Sequence, residues 1–220
     1  TAGMHDPVKA YRLYKDIADA YQDISRPQFD ERAQFISRAI VEVARVLMAG
    51  LPAGNITADR ERAMRYLEIA AQVFDDRDAQ FDLGKAYLDG SDDAGSLRLG
   101  MDLLALLAER KAHAGAQAFL GELYWSGSHV DRSPTLSLAL LIIARENAGG
   151  QDQLWIEDLY QRAFCGTTAA QRKRANELVE SWRHKQSLWS LTKEAEKDTA
   201  ASLDELPALT VVPLVRSCGD

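Results

Sequence analysis

The chain has 220 residues, 46% of them hydrophobic and 27% charged, the balance of a folded protein long enough to bury a substantial core. Its formal charge of −7 argues against a general binder of nucleic acid or of anionic membrane, because a net anion is attracted to neither. No apolar run reaches the roughly 20 residues of a membrane-spanning helix, and the greasiest stretch, LSLALLIIA at 136–144, is too short.

The sequence opens at Thr1 with neither a methionine nor a basic-then-apolar leader, as expected of a mature secreted form or of an excised fragment. Asp6-Pro7 places a capping residue before a first-turn proline and predicts a helix over 7–21. AIVEVARVLMAG (39–50), AQFDLGKAYLDG (79–90) and AQAFLGELYWSG (116–127) then align on their closing glycines, at offsets of 40 and 37 residues. A period of that length marks an architecture of stacked supersecondary units. Each copy is preceded by a further helical segment, 62–72 before the second and 100–110 before the third. The eight-residue step from Ala71 to Ala79 recurs from Ala108 to Ala116, so helix, tight connection and helix repeat as one unit.

Counting from Ala79 as zero, apolar or small residues fall at 0, +4, +5, +7, +8 and +9, a broad helical stripe. Column +5 holds Ala44, Gly84 and Gly121. Glycine inside a helix costs about 1 kcal/mol relative to alanine, so its recurrence there predicts a neighbouring helix in close approach. The closing glycines Gly50, Gly90 and Gly127 stand where a left-handed C-cap is expected. Ser133-Pro134 predicts the next helix over 135–147, and QDQLWIEDLYQRAF (151–164) closes the array, with Leu159, Tyr160, Phe164 and Trp155 as its apolar side. Thr168 and Gln171 form a capping-box pair ahead of QRKRANELVESWRHK (171–185), whose apolar positions Ala175, Leu178, Val179 and Trp182 leave a solvated basic face outward. That face is where electrostatic steering is expected. The fold class expected is all-α, an α-solenoid of antiparallel helix pairs. A helical-repeat domain spans 1–187, with copies near 7–50, 60–90 and 97–127 and closing helices at 134–187. A flexible tail is expected over 188–220.

The second copy, AMRYLEIAAQVFDDRDAQFDLGKAYLDG, resembles the Sel-one-like repeat, a helix pair related to tetratricopeptide repeats. Ala63, Tyr66, Ala70, Ala71, Ala79, Gln80, Leu83, Gly84, Tyr87 and Gly90 match its signature; the third copy keeps Ala116, Gln117, Leu120, Gly121, Tyr124 and Gly127. The first copy departs from it, with Ile40 for the glutamine and Leu47 for the tyrosine. The layout of one divergent pair, two clear repeats and the closing helices looks like the ExoR-type periplasmic regulators of exopolysaccharide synthesis. The resemblance implies a secreted, non-enzymatic protein that restrains a two-component system by binding the periplasmic sensor domain of a histidine kinase, and that a regulatory protease degrades. A general helical-repeat scaffold without a kinase partner, and a cytoplasmic location, are the alternatives.

Solenoids of this kind bind peptides or protein domains on the face left by their stacking. The polar columns +3 and +6, with +10, supply the candidate partner-binding residues: Glu42, Arg45, Asp82, Lys85, Asp89, Phe119 and Glu122. Trp125 stands where the second copy has Leu88 and is expected in the core. No catalytic residue, metal ligand or cofactor is expected, since HExxH, Walker, GxSxG and GxGxxG patterns are lacking and His5, His113, His129 and His184 are scattered. Asp75, Asp76 and Asp78, like Asp92 and Asp93, are expected in solvated turns, lacking the glycine and distant glutamate of a calcium loop. Cys165 and Cys218 fit a buried thiol and a tail thiol, with a disulfide pinning the tail left open.

Overall fold

Capping chemistry sets the helix boundaries. In the computed structural model, Asp6 Oδ1 accepts the N–H groups of Val8 and Lys9, and Ser133 Oγ accepts that of Leu136. Helices accordingly begin at Pro7 and Pro134, as the cap-proline pairs predict. Thr168 and Gln171 close a reciprocal box, Thr168 N to Gln171 Oε1 at 2.9 Å and Gln171 N to Thr168 Oγ1 at 3.2 Å. The structure describes residues 6–21, 30–89, 93–110, 112–150 and 152–185, together with 187, 191–193 and 195.

Among the described residues run α1 (Pro7–Tyr21), α2 (Ala33–Ala49), α3 (Arg60–Val73), α4 (Arg77–Leu88), α5 (Ala94–Arg110), α6 (Ala114–Ser126), α7 (Pro134–Asn147), α8 (Asp152–Gly166) and α9 (Ala169–Lys185). A short 3₁₀ turn, Pro52–Gly54, joins α2 to α3, and no β-strand occurs among these residues beyond one isolated bridge, Leu51 to Ile56. The class is the expected α-solenoid of helix pairs. Two helices start earlier than their sequence patterns suggest: α2 at Ala33 and α5 at Ala94, where Asp93 caps the N–H of Ser96.

The chain divides into two units, Thr1–Leu104 and Ala105–Asp220. In the first, Ile36, Ile40, Val43 and Leu47 of α2 meet Tyr66, Leu67 and Ala70 of α3 and Leu83 of α4. In the second, Leu120 and Leu123 of α6 are buried, as are Leu136, Leu140 and Leu141 of α7, Ile156 of α8 and Leu178 of α9. Each such side chain contributes about 2 kcal/mol by leaving water.

The small column does what its glycines predict. A Cβ on Gly84 would lie 3.0 Å from Leu104 Cγ, and one on Gly121 would lie 2.9 Å from Leu141 Cγ and 3.2 Å from the Ser137 carbonyl. The neighbouring helix therefore rests on the glycine backbone. On its side the matching column reads Ala63, Gly100 and Ser137, and a Cβ on Gly100 would stand 2.8 Å from the Gly84 carbonyl.

The closing glycines diverge. Gly127 takes the left-handed conformation expected of a C-cap (φ 77°, ψ 22°). Gly50 shares the positive φ but has an extended ψ of 166°, because its N–H caps Val46 while the chain turns directly into the 3₁₀ loop. Gly90 lies outside the described residues, as do His5, Asp92 and Cys218. Cys165 is exposed near the end of α8 and disulfide-bonded, not a buried thiol. Most of the expected tail also lies outside the described residues; of those seen there, Leu191 and Ala195 are buried.

Candidate partner-binding surface

The polar columns come together first in the Thr1–Leu104 unit. Arg45, at +6 on α2, donates from Nε to Asp82 Oδ2 at 2.7 Å, reaching +3 of the next copy, and from Nη1 to Glu42 Oε1 at 3.1 Å. The guanidinium is the outward member of the pair, 46% exposed against 18% for Asp82. Burial works against its charge, yet the bond to Asp82 and the carboxylates of Asp82 and Glu42 hold its pKa above the ordinary value. Asp82 is thus tied across the repeat boundary as well as presented to solvent. Lys85 Nζ lies 5.1 Å from the centre of the Phe81 ring.

Arg45, Asp82, Lys85 and Asp89 line one open groove of about 330 Å³. Its floor is apolar, made by Met48 of α2, Leu67 of α3 and Ala86 of α4. Arg60 completes the rim, its Nη2 donating to the carbonyls of Ala86 and Asp89, which end α4. Phe119 and Glu122 belong to the second unit: Phe119 is half-buried, and Glu122 pairs with Arg162 of α8 at 3.7 Å.

Several residues outside those columns carry polar work inside the repeats. Gln80 and Gln117 are buried and donate from Nε2 to the carbonyls of Ala71 and Ala108, at 3.1 and 2.9 Å. Each closes the end of the helix that precedes it, satisfying an acceptor that burial would otherwise leave without a partner. Gln117 Oε1 further accepts from Asn147 Nδ2 at 2.9 Å. A polar residue recurring next to an apolar column is the sequence signal for this role. Tyr66, another motif residue, donates to Asp19 Oδ1 of α1 at 2.8 Å. Burial raises its pKa, while the bond from Lys15 chiefly lowers that of Asp19.

The expected solvated turns are structural joints. Asp76 caps α4 through the Ala79 N–H at 2.9 Å and accepts from Ser37 Oγ of α2 at 2.6 Å, and Asp75 accepts from Gln80 Nε2 at 2.8 Å. His113, one of the scattered histidines, caps α6 by accepting the Ala116 N–H on Nδ1 at 3.0 Å. The other described histidines, His129 and His184, are exposed.

The basic face of α9 is largely committed internally. Arg172 donates to the carbonyls of Phe164 and Thr167, Arg174 pairs with Glu177, and Arg183 pairs with Glu146 and Glu180. Trp125 is half-buried, not fully in the core, under the Arg132 guanidinium 5.3 Å from its ring. On α8, Leu159 is buried as expected. Phe164 is 38% exposed beneath Arg172, and Tyr160 stacks with Arg145. No group of three or more metal-ligating side chains gathers among the described residues, and none of their helices is long and apolar enough to cross a membrane.

Comparison with known proteins bears on this geometry. The Sel1 repeat pattern matches residues 37–72, 77–110 and 114–148. The chain is 26% identical over 176 residues to an exopolysaccharide production negative regulator of Rhizobium leguminosarum bv. viciae, covering 80% of this chain and 62% of that protein. The match therefore leaves more than a third of the relative's length unspanned. Among solved structures, a Sel1 repeat protein from Oxalobacter formigenes aligns with a TM-score of 0.42 at 18% identity, covering 89% of this chain and 88% of the other. A protective antigen of uropathogenic Escherichia coli displaying an SLR fold aligns with a TM-score of 0.38 at 21% identity, covering 98% of this chain and 47% of the antigen.

Proposed function

Since the chain belongs to the Sel1 repeat family, we propose that it is a non-enzymatic, protein-binding regulator that restrains exopolysaccharide synthesis. The observation that carries the binding part is the groove of the first unit, where charged columns of two successive repeats meet over an apolar floor. Such an arrangement suits a partner's side chain better than a reaction: its two arginines are already engaged, Arg45 with the carboxylates of Asp82 and Glu42 and Arg60 with backbone carbonyls. The regulatory part rests on likeness to the negative regulator from Rhizobium.

In this reading the protein works in the periplasm, its partner is the periplasmic sensor domain of a histidine kinase, and a protease controls its level. The helical-repeat domain, residues 1–187, carries the binding. Glu42, Arg45, Asp82, Lys85, Asp89, Phe119 and Glu122 are its contact residues.

A pull-down with the sensor domain of the kinase encoded nearest the gene tests the reading directly. Binding at micromolar protein, weakened by joint substitution of Asp82 and Lys85 without loss of helical signal, is the expected result. Absence of binding removes the kinase partner. Recovery of the natural gene product from the cytoplasmic fraction alone removes the periplasmic location.

A further inference from the structure

The groove has a chemistry more specific than "protein-binding". Its two arginines are held in place by acceptors of their own protein. Arg45 is fixed by Asp82 and Glu42 through Nε and Nη1, and Arg60 by the last carbonyls of α4 through Nη2. A guanidinium has five N–H donors, so both keep donors for a further acceptor. Arg45 is more exposed than either carboxylate that anchors it, 46% against 18% for Asp82 and 31% for Glu42, so the cation is the most accessible group of the cluster. Between the two arginines the floor is Met48, Leu67 and Ala86, and methionine adapts to irregular aliphatic shapes. Asp89, exposed on the rim, disfavours an acidic group at its own position and gives the groove a direction.

Resting on the reading above, we infer that this groove recognises a partner segment with an aliphatic side chain beside a carboxylate, the aliphatic group on Met48 and Leu67 and the carboxylate on Arg45 and Arg60. Pre-oriented guanidiniums bind carboxylates with little loss of side-chain freedom, and burial of the neighbouring aliphatic group strengthens the bond. A basic segment would instead displace Arg45 from Asp82.

Two pools of labelled ten-residue peptides test the inference on the full chain, one pairing leucine with glutamate and the other pairing leucine with lysine at the same positions. The acidic pool is expected to bind about tenfold or more tightly than the basic pool, with the difference shrinking as salt rises. Met48→Glu should abolish the preference, and Arg45→Gln should reduce it about tenfold. Arg60 also secures α4, so its variant is judged only after a thermal melt, with Met48→Glu as the independent probe.

Equal binding of the two pools, a preference for lysine, or acidic binding untouched by Met48→Glu overturns the inference. Binding of neither pool also overturns it. The protein-binding reading then stands or falls on the sensor-domain pull-down, which does not depend on the peptide chemistry.

Discussion

The joints of the second and third repeats share a backbone and differ in side chains. Asp75 takes a φ of 51° in one and Ala112 a φ of 47° in the other, a left-handed conformation that costs most residues about 1–2 kcal/mol. The next residue, Asp76 or His113, caps the following helix with its side chain, while its own N–H closes the preceding helix on the carbonyl of Ala70 or Leu107. Four positions on, Gln80 or Gln117 reaches back to Ala71 or Ala108. An alanine and a histidine can replace two aspartates because the constant parts, glutamine and backbone spacing, hold the turn. The cap needs only an acceptor at the right place, and an imidazole Nδ1 serves as well as a carboxylate.

The largest expected effect separates the packing column from the joints. Valine at Gly121 meets Leu141 and the fixed carbonyl of Ser137, and should cost about 3 kcal/mol. Valine at Gly84 should cost less, about 2 kcal/mol, because its nearest obstacle is the Leu104 side chain and the Gly100 carbonyl is 3.5 Å away. Urea unfolding followed by far-ultraviolet circular dichroism measures both. Equal losses would show that the facing helix does not decide what the column tolerates.

Next come the glutamines. Gln117→Leu and Gln80→Leu should each cost about 2 kcal/mol, since each leaves a buried carbonyl without its donor. A loss in one joint alone would assign the turn to the capping residue instead. The first repeat shows the alternative: Ile40 fills that column, fully buried among apolar neighbours.

These differences mark what the sequence discloses. The helix pairs, the starts at Pro7 and Pro134, the Thr168–Gln171 box and the close approach at Gly84 and Gly121 are legible because each depends on residues a few positions apart or on a column repeated at one period. Gln80 and Gln117 are visible as a matching column, but their partners emerge only when the preceding helix folds back. The Arg45–Asp82 bond spans 37 residues, three short of the offset of 40 between the first two copies. Opposite charges at +6 and +3 of successive copies are its signal, and reading the columns separately hides it. Glycines at 95 and 100 dilute the apolar pattern of α5, which conceals its first turn.

Caps give a smaller effect. Asp76→Ala and His113→Ala should each cost about 1 kcal/mol, with the aspartate somewhat worse because Ser37 also loses its acceptor. His113→Asp should recover the loss; if it does not, the imidazole is doing more than accept one N–H. Ser137→Ala should instead stabilise the fold by about 1 kcal/mol, since the Ser137 hydroxyl is buried without a partner where the other repeats carry Ala63 and Gly100.

The smallest expected effect concerns acid and the starts of α3 and α5. Asp59 and Asp93 cap these helices alike, accepting the N–H groups of Arg62 and Ser96. The Ser96 N–H chiefly, then the Ser96 hydroxyl and the Gly95 N–H, bond to the Asp93 carboxylate and hold its pKa below the usual carboxylate value. A carboxyl lowered on folding stabilises the fold above its unfolded pKa and loses that contribution as pH falls through the folded value. The loss therefore belongs to the range below about pH 4. Hydrogen exchange at the Ser96 and Leu97 amides reads it locally: protection of the first turn of α5 should fall on acidification, and Asp93→Asn should make it indifferent to pH. If the wild-type turn stays equally protected across that range, the charge on Asp93 is not what holds it, and the neutral carboxyl caps α5 as well as the carboxylate does.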